Sequence, residues 1–160
     1  MRSDMSVNQF YYLLSLPLAI HLPSLHSFVV HAGLLPSDPT KHMFDPSQPL
    51  VASAESPDSD LAAHRMAEEL SIFSNVKQNQ DPYTLIEMRS VHTHGKKAGK
   101  VTKDGSKGTP WSDVWNAEIK RCTKGLVSDQ ERREMGGAEP EESMDCSPIS
   151  IVYGHAGEYP

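Results

Sequence analysis

Residues 16–36 read LPLAIHLPSLHSFVVHAGLLP, and residues 149–157 read ISIVYGHAG. Leu18 to Leu22 and Ser27 to His31 are two strand-like runs separated by Pro23-Ser24-Leu25-His26, a turn-rich connection that suits a hairpin. Ile149 to Tyr153 is a further strand. VVHAG and VYGHAG share one plan: a β-branched strand runs into a histidine followed by Ala-Gly. Strand C-termini are where open α/β sheets place their ligands. Neutral imidazole is a common ligand for zinc, iron and related ions, so His31 and His155 are candidates to share one metal. Compact residues after each histidine let the backbone turn and leave room for an ion or an anion. The competing reading is that each imidazole merely hydrogen-bonds a loop carbonyl.

Outward from this hairpin, Ser6 is placed to cap a helix through Ser15, with Phe10, Leu13 and Leu14 on one side and Pro17 ending it. Residues 37–60 are rich in Pro, Ser and Asp and read as loop. A helix is expected from about Asp60, with Leu61, Met66, Leu70 and Phe73 facing inward and Glu68 and Glu69 pointing elsewhere. Asp81-Pro82 announces a short helix over Tyr83 to Met88. Residues 93–107 carry a lysine cluster with little apolar content and read as a solvated loop. Trp111 and Trp115, four apart, read as anchors to the core, opening a helix-like run to Cys122. Residues 127–147 form a third expected loop or insertion.

Composition narrows the class. The chain has 160 residues, enough for one domain, and 38% hydrophobic content with 12 prolines leaves part of it as solvated loop. A net charge of −6 and a pI near 5.7 argue against a nucleic-acid binder or an anionic-membrane binder. Phe10 to Ile20 loosely imitates a signal peptide, but Pro17 breaks it and a strand pattern follows at once. It is too short to span a bilayer. Cys122 and Cys146 cannot make a multi-bridge scaffold; two reduced thiols in an intracellular protein are expected, with a single bridge between them as the alternative.

The Leu16–Pro36 stretch resembles the part of calcineurin-like metallophosphoesterases where a hairpin ends in His-Gly-Gly-Leu. IVYGHAG resembles that family's closing strand and Gly-His motif. NVKQNQDPYTLIEMR and GTPWSDVWN are similar to segments of the branch that includes diadenosine tetraphosphate hydrolase-like proteins and fungal endopolyphosphatases. Residues 10–37, 75–89, 108–116 and 149–156 carry the resemblance, 60 of 160 positions.

The resemblance implies an α/β fold, the C-terminal part of an αββα metallophosphoesterase sandwich with long loops, over residues 1–160. It implies a metal-dependent hydrolase of phosphoester or phosphoanhydride bonds. In such an enzyme two ions hold a bridging hydroxide that attacks phosphorus. The expected cofactors are two divalent ions per complete site, of Mn, Zn, Fe or Co, with His31 and His155 as imidazole ligands of the second. The expected partner is polyphosphate or a phosphorylated small molecule such as a dinucleoside polyphosphate, with a phosphoprotein as a further option and neither nucleic acid nor membrane. The expected location is the cytoplasm, with the vacuole as the alternative suggested by the endopolyphosphatases.

Ala32 in place of the motif's first glycine is a minor departure. The Gly-Asp-x-His, Gly-Asp-x-x-x-x-Gly and Gly-Asn-His motifs, which hold the remaining ligands and the general acid, are missing from the sequence. The chain therefore reads as a C-terminal excerpt, inactive by itself. The alternative is a non-catalytic binding protein derived from the same fold. His92-x-His94 sits in a lysine-glycine setting that favours a solvated loop. The lysines at 96–107 have the charge to attract a polyanion. His21, His26, His42 and His64 show no partner pattern and receive no role, and neither cysteine has a base beside it.

Overall fold

The computed structural model describes residues 5–51, 61–122 and 146–154. Among them the chain is mixed α/β. Helix α1 spans Val7–Ser15, strand β1 Ala19–Leu22, β2 Ser27–Val30, helix α2 Leu61–Asn75 and α3 Pro82–Glu87. Strands β3 (Ser90–Val91), β4 (Val101–Thr102) and β5 (Thr109–Pro110) precede α4 (Trp111–Ile119) and β6 (Ser150–Tyr153).

The first sheet has the order β1-β2-β6. β1 and β2 form the expected antiparallel hairpin, with Ala19 opposite Val30 and Leu22 opposite Ser27. A one-turn 3-10 helix over Pro23–Leu25 makes the connection, and His26 closes it in the left-handed region at φ 46°. β6 pairs with β2 in parallel, Ser27 opposite Ser150 and Val30 opposite Tyr153. Strand side chains alternate between faces, so Phe28 and Val30 share one face with the paired Ile151 and Tyr153. Phe28, fully buried, sits at the centre of that face. Its ring meets Phe73 of α2 edge-on at 5.0 Å and Trp115 of α4 at 6.4 Å, and stacks on His21 at 4.9 Å. Val29, Ile20 and Val152 lie on the opposite face, where Ile20 and Val152 are exposed.

The structure adds to the sequence reading at some points and departs from it at others. Helix α1 forms with a capping box, Gln9 N–H donating to Ser6 Oγ and Ser6 N–H to Gln9 Oε1. Yet Phe10, Leu13 and Leu14 are exposed, so among the described residues nothing covers its apolar side. On α2 the inward stripe is Glu69, Ile72 and, just beyond the helix, Val76, while Met66 and Leu70 are exposed. Glu69, expected to face away, is 1% exposed.

Residues 93–107 also depart from the sequence reading. They are not a featureless loop: β4 lies within them and pairs antiparallel with β3, which also pairs with β5. Ser90 Oγ lies within hydrogen-bond distance of the Asp104 and Lys107 carbonyls, at 2.7 and 2.6 Å. Gly108, at φ 83°, permits the tight return, because a Cβ there would come within 2.6 Å of the Val91 carbonyl oxygen. Lys103 and Lys107 pair with Glu87 and Asp104.

Residues 37–51 are loop, as expected, but a packed one. Asp38 N–H donates to Gln48 Oε1 and Gln48 Nε2 donates back to the Asp38 carbonyl, both groups buried. Ser37 Oγ donates to Glu118 Oε1 at 2.6 Å, and burial pushes the Glu118 carboxyl up despite that bond. Trp111 and Trp115 are buried, in keeping with their reading as anchors. Among the described residues no helix is long and apolar enough to cross a membrane.

Cys122 and Cys146 form a disulfide, with Cα atoms 4.6 Å apart. This corrects the expectation of two reduced thiols. Both sulfurs are buried beside Ile149 in the core cluster, so the bridge ties the end of α4 to the approach of β6.

Candidate functional site: a strand-end rim and a buried imidazole–carboxylate cluster

The parallel register of β2 and β6 determines what meets at their C-terminal ends. Val30 stands opposite Tyr153, and one residue further the Gly154 N–H donates to the His31 carbonyl at 3.3 Å. The C-terminal ends of β2 and β6 therefore run out at the same rim, although 124 positions separate His31 and His155 in sequence. His31 is exposed there. His155 lies outside the described residues, as do residues 52–60 and most of the 127–147 stretch.

The residues after His31 serve a different end from the one the sequence suggested. Ala32 and Gly33 are buried, and the Ala32 N–H donates to the Leu85 carbonyl at 2.9 Å. A Cβ at Gly33 would stand 2.6 Å from Met88 Cε and 2.9 Å from Trp111 Cδ2. Compactness here admits a methionine and an indole, not a ligand. Gly33→Ala should accordingly cost about 1–3 kcal/mol of stability through overpacking, read in urea denaturation. An unchanged midpoint would show that the indole yields freely.

A second cluster is one the sequence did not reveal. Glu69 Oε2 lies 2.5 Å from His21 Nε2, and Oε1 lies 2.8 Å from His26 Nδ1. Arg65 Nε is 3.4 Å from the same Oε1, and its Nη2 donates to the Pro148 carbonyl at 3.2 Å. One carboxylate of α2 thus holds two imidazoles of the β1–β2 hairpin, one from the strand and one from the turn. An ionised carboxylate only accepts, so each imidazole donates its N–H to it. His64 pairs separately with Glu68 at 3.2 Å.

The available signal was weak. His21 and His26 bracket the turn, and a glutamate 43 positions beyond His26 breaks an otherwise mediocre apolar stripe. Nothing local links them.

Among the described residues no three His, Cys, Asp or Glu side chains are placed to hold a metal ion. In the Glu69 cluster both carboxylate oxygens already face imidazole nitrogens. His92 and His94 flank the turn into β4 and enter no such group. Compared with known proteins, the chain matches no family model, no curated protein and no solved structure.

Proposed function

We propose that the β2–β6 rim belongs to a calcineurin-like metallophosphoesterase, and that His31 and His155 are imidazole ligands of one of its two divalent ions. The observation that supports this reading is the parallel β2–β6 pairing, with Gly154 bonded to the His31 carbonyl. A chance local likeness gives no reason for the two strands that lead into these motifs, so far apart in sequence, to lie side by side in parallel. The exposed imidazole of His31 is a donor type that suits Zn, Mn, Fe or Co. Bound ions in such a site supply the nucleophile and offset charge on the phosphoryl oxygens. The chain's own contribution is to fix the strand ends through the sheet register, with Ala32 and Gly33 locked into the core behind them. In this reading the two sheets are parts of an αββα sandwich.

The substrate class is a phosphoester or phosphoanhydride, polyphosphate or a dinucleoside polyphosphate by resemblance. The disulfide favours an oxidising or lytic compartment such as the vacuole over the reducing cytoplasm.

The chain of 160 residues, tested alone, should show no turnover of polyphosphate or of a chromogenic phosphoester with Mn, Co or Zn. Each ion needs about four to six ligands, and the motifs that hold the others are missing from this sequence. The longest product of its reading frame should hydrolyse one of these substrates with a divalent ion present, and His31→Ala in that product should lower kcat at least a hundredfold. Metal-independent turnover, or full activity in His31→Ala, would overturn the proposal. A product that binds polyphosphate without cleaving it would favour the non-catalytic reading.

A further inference from the structure

The lysine-rich turn between β3 and β4 is a closed structure pressed against two other segments. Gly99 N–H donates to the His92 carbonyl at 2.8 Å, His92 N–H to the Lys100 carbonyl at 3.0 Å, and Lys100 N–H to the Lys97 carbonyl at 2.9 Å. Gly95 and Gly99 supply its left-handed residues, at φ 73° and 78°. A Cβ at Gly99 would collide with Thr40 Cγ2 and stand 2.8 Å from Gln78 Nε2, which itself donates to Asp38 Oδ1 at 3.1 Å. Gln78 belongs to the 3-10 turn Lys77–Gln80 that follows α2. We infer that the surface where these segments meet, bearing Lys41, Lys77, Lys96, Lys97 and Lys100, docks a compact anion with several phosphate groups. The inference is independent of the rim histidines and of any phosphoesterase activity.

Placement brings the charges together. Thr40, Gln78 and Gly99 touch, and Lys41, Lys77 and Lys100 are their chain neighbours, each one Cα–Cα link of about 3.8 Å away. Lys97 is tied to Lys100 by the turn's own hydrogen bond. These lysines are exposed, and among the described residues Lys77, Lys96, Lys97 and Lys100 enter no ion pair; it is Lys103 and Lys107 that meet Glu87 and Asp104. Lys41 Nζ donates to the neutral Ser47 hydroxyl. The acids of the adjoining loop are engaged: Asp38 is buried and accepts from Thr40 and Gln78, and Asp45 accepts from Ser47. The chain's net charge of −6 does not cancel this patch, because charges beyond about 8 Å are largely screened at physiological salt.

Residue type then selects the ligand. Lysine acts on phosphate as a point charge, without the planar fork by which arginine pairs with a single carboxylate. Ammonium groups drawn from three segments around one contact suit a compact polyvalent anion better than an extended polymer. Residues 92–110 hold no Phe, Tyr or Trp, the surfaces on which single-stranded nucleic acid stacks its bases.

The test is a titration of the whole chain with inositol hexakisphosphate, inorganic phosphate and octaglutamate, followed by calorimetry and by backbone amide resonances. Inositol hexakisphosphate should bind saturably and shift the amides of Lys41, Lys77 and residues 96–100 while the His31 imidazole resonance stays in place. Inorganic phosphate and octaglutamate should each bind at least tenfold more weakly. Lys96→Gln, Lys97→Gln and Lys100→Gln together should lower the affinity for inositol hexakisphosphate at least tenfold. Lys103→Gln, Lys107→Gln and Lys120→Gln together remove the same charge elsewhere and should change it less than threefold, with the Trp111 indole resonance unmoved in both variants. Equal losses in the two variants would reduce the effect to net charge and overturn the site. Octaglutamate or an oligonucleotide binding as tightly as inositol hexakisphosphate would overturn the ligand class. Shifts confined to the rim, or a failure to saturate, would overturn the proposal outright.

Discussion

Glu69→Ala should lower the unfolding free energy by about 3 kcal/mol, close to the loss expected when one partner is removed from a buried ionic group. Glu69 is 1% exposed and contacts His21, His26 and Arg65. Removing it strands the His21 ring, whose side chain is 12% exposed and stacked on Phe28. It also leaves the Arg65 guanidinium without its carboxylate and releases the turn that holds His26. Glu69→Gln keeps the shape and one acceptor, so it should lose less. The fraction due to pairing is isolated by a double-mutant cycle with His21→Phe, where a coupling energy of about 1–3 kcal/mol is expected. Urea denaturation measures all four corners. A total loss below about 0.5 kcal/mol, the range of ordinary surface substitutions, would show that the cluster contributes little.

Replacing both cysteines with alanine should cost about 3 kcal/mol. The bridge spans a sequence separation of 24, and a loop of that length loses roughly this much chain entropy on closure in the unfolded state. Both positions are buried, so alanine avoids placing a new polar group there. The effect should be local as well as global. Cys146 leads directly into β6, the edge strand whose pairing with β2 forms the rim. Hydrogen exchange in the double variant should quicken at Ser150–Tyr153 more than at Ala19–Leu22. Equal acceleration in both edge strands would mean that the bridge does not act on β6.

The fold was legible where neighbours in sequence decide the structure. Ser6 ahead of the first helix, Asp81 before Pro82, and a four-residue connection between two strand-like runs each carry their own signal, and each forms as read. The repeated His-Ala-Gly ending points to strands whose ends share a rim, in one sheet or in facing sheets, and the parallel pairing of β6 with β2 is what the structure adds. Inward faces were harder. Polarity alone points to Met66 and Leu70 as the core stripe of α2, whereas Glu69 is buried by partners 43 and 48 positions away. The lysine stretch misled for a similar reason. Its side chains bury little, but Gly99, Gly108 and the Ser90 hydroxyl organise its backbone. Compact residues after His31 suggest a turn with room for an ion or anion, whereas Gly33 makes way for Met88 and Trp111, far along the chain. Side chains supplied from a distance leave almost no local trace.

Shared metal ligation by the two strand ends is the central claim, and paramagnetic broadening by substoichiometric Mn²⁺ tests it directly. In the isotopically labelled chain, the imidazole resonances of His31 and His155 should broaden first and together, accompanied by the Gly154 amide. His21 and His26, already held by Glu69, should keep their linewidths at the same ratio. Broadening of His31 without His155, or of the His21–His26 pair before either, would contradict the account.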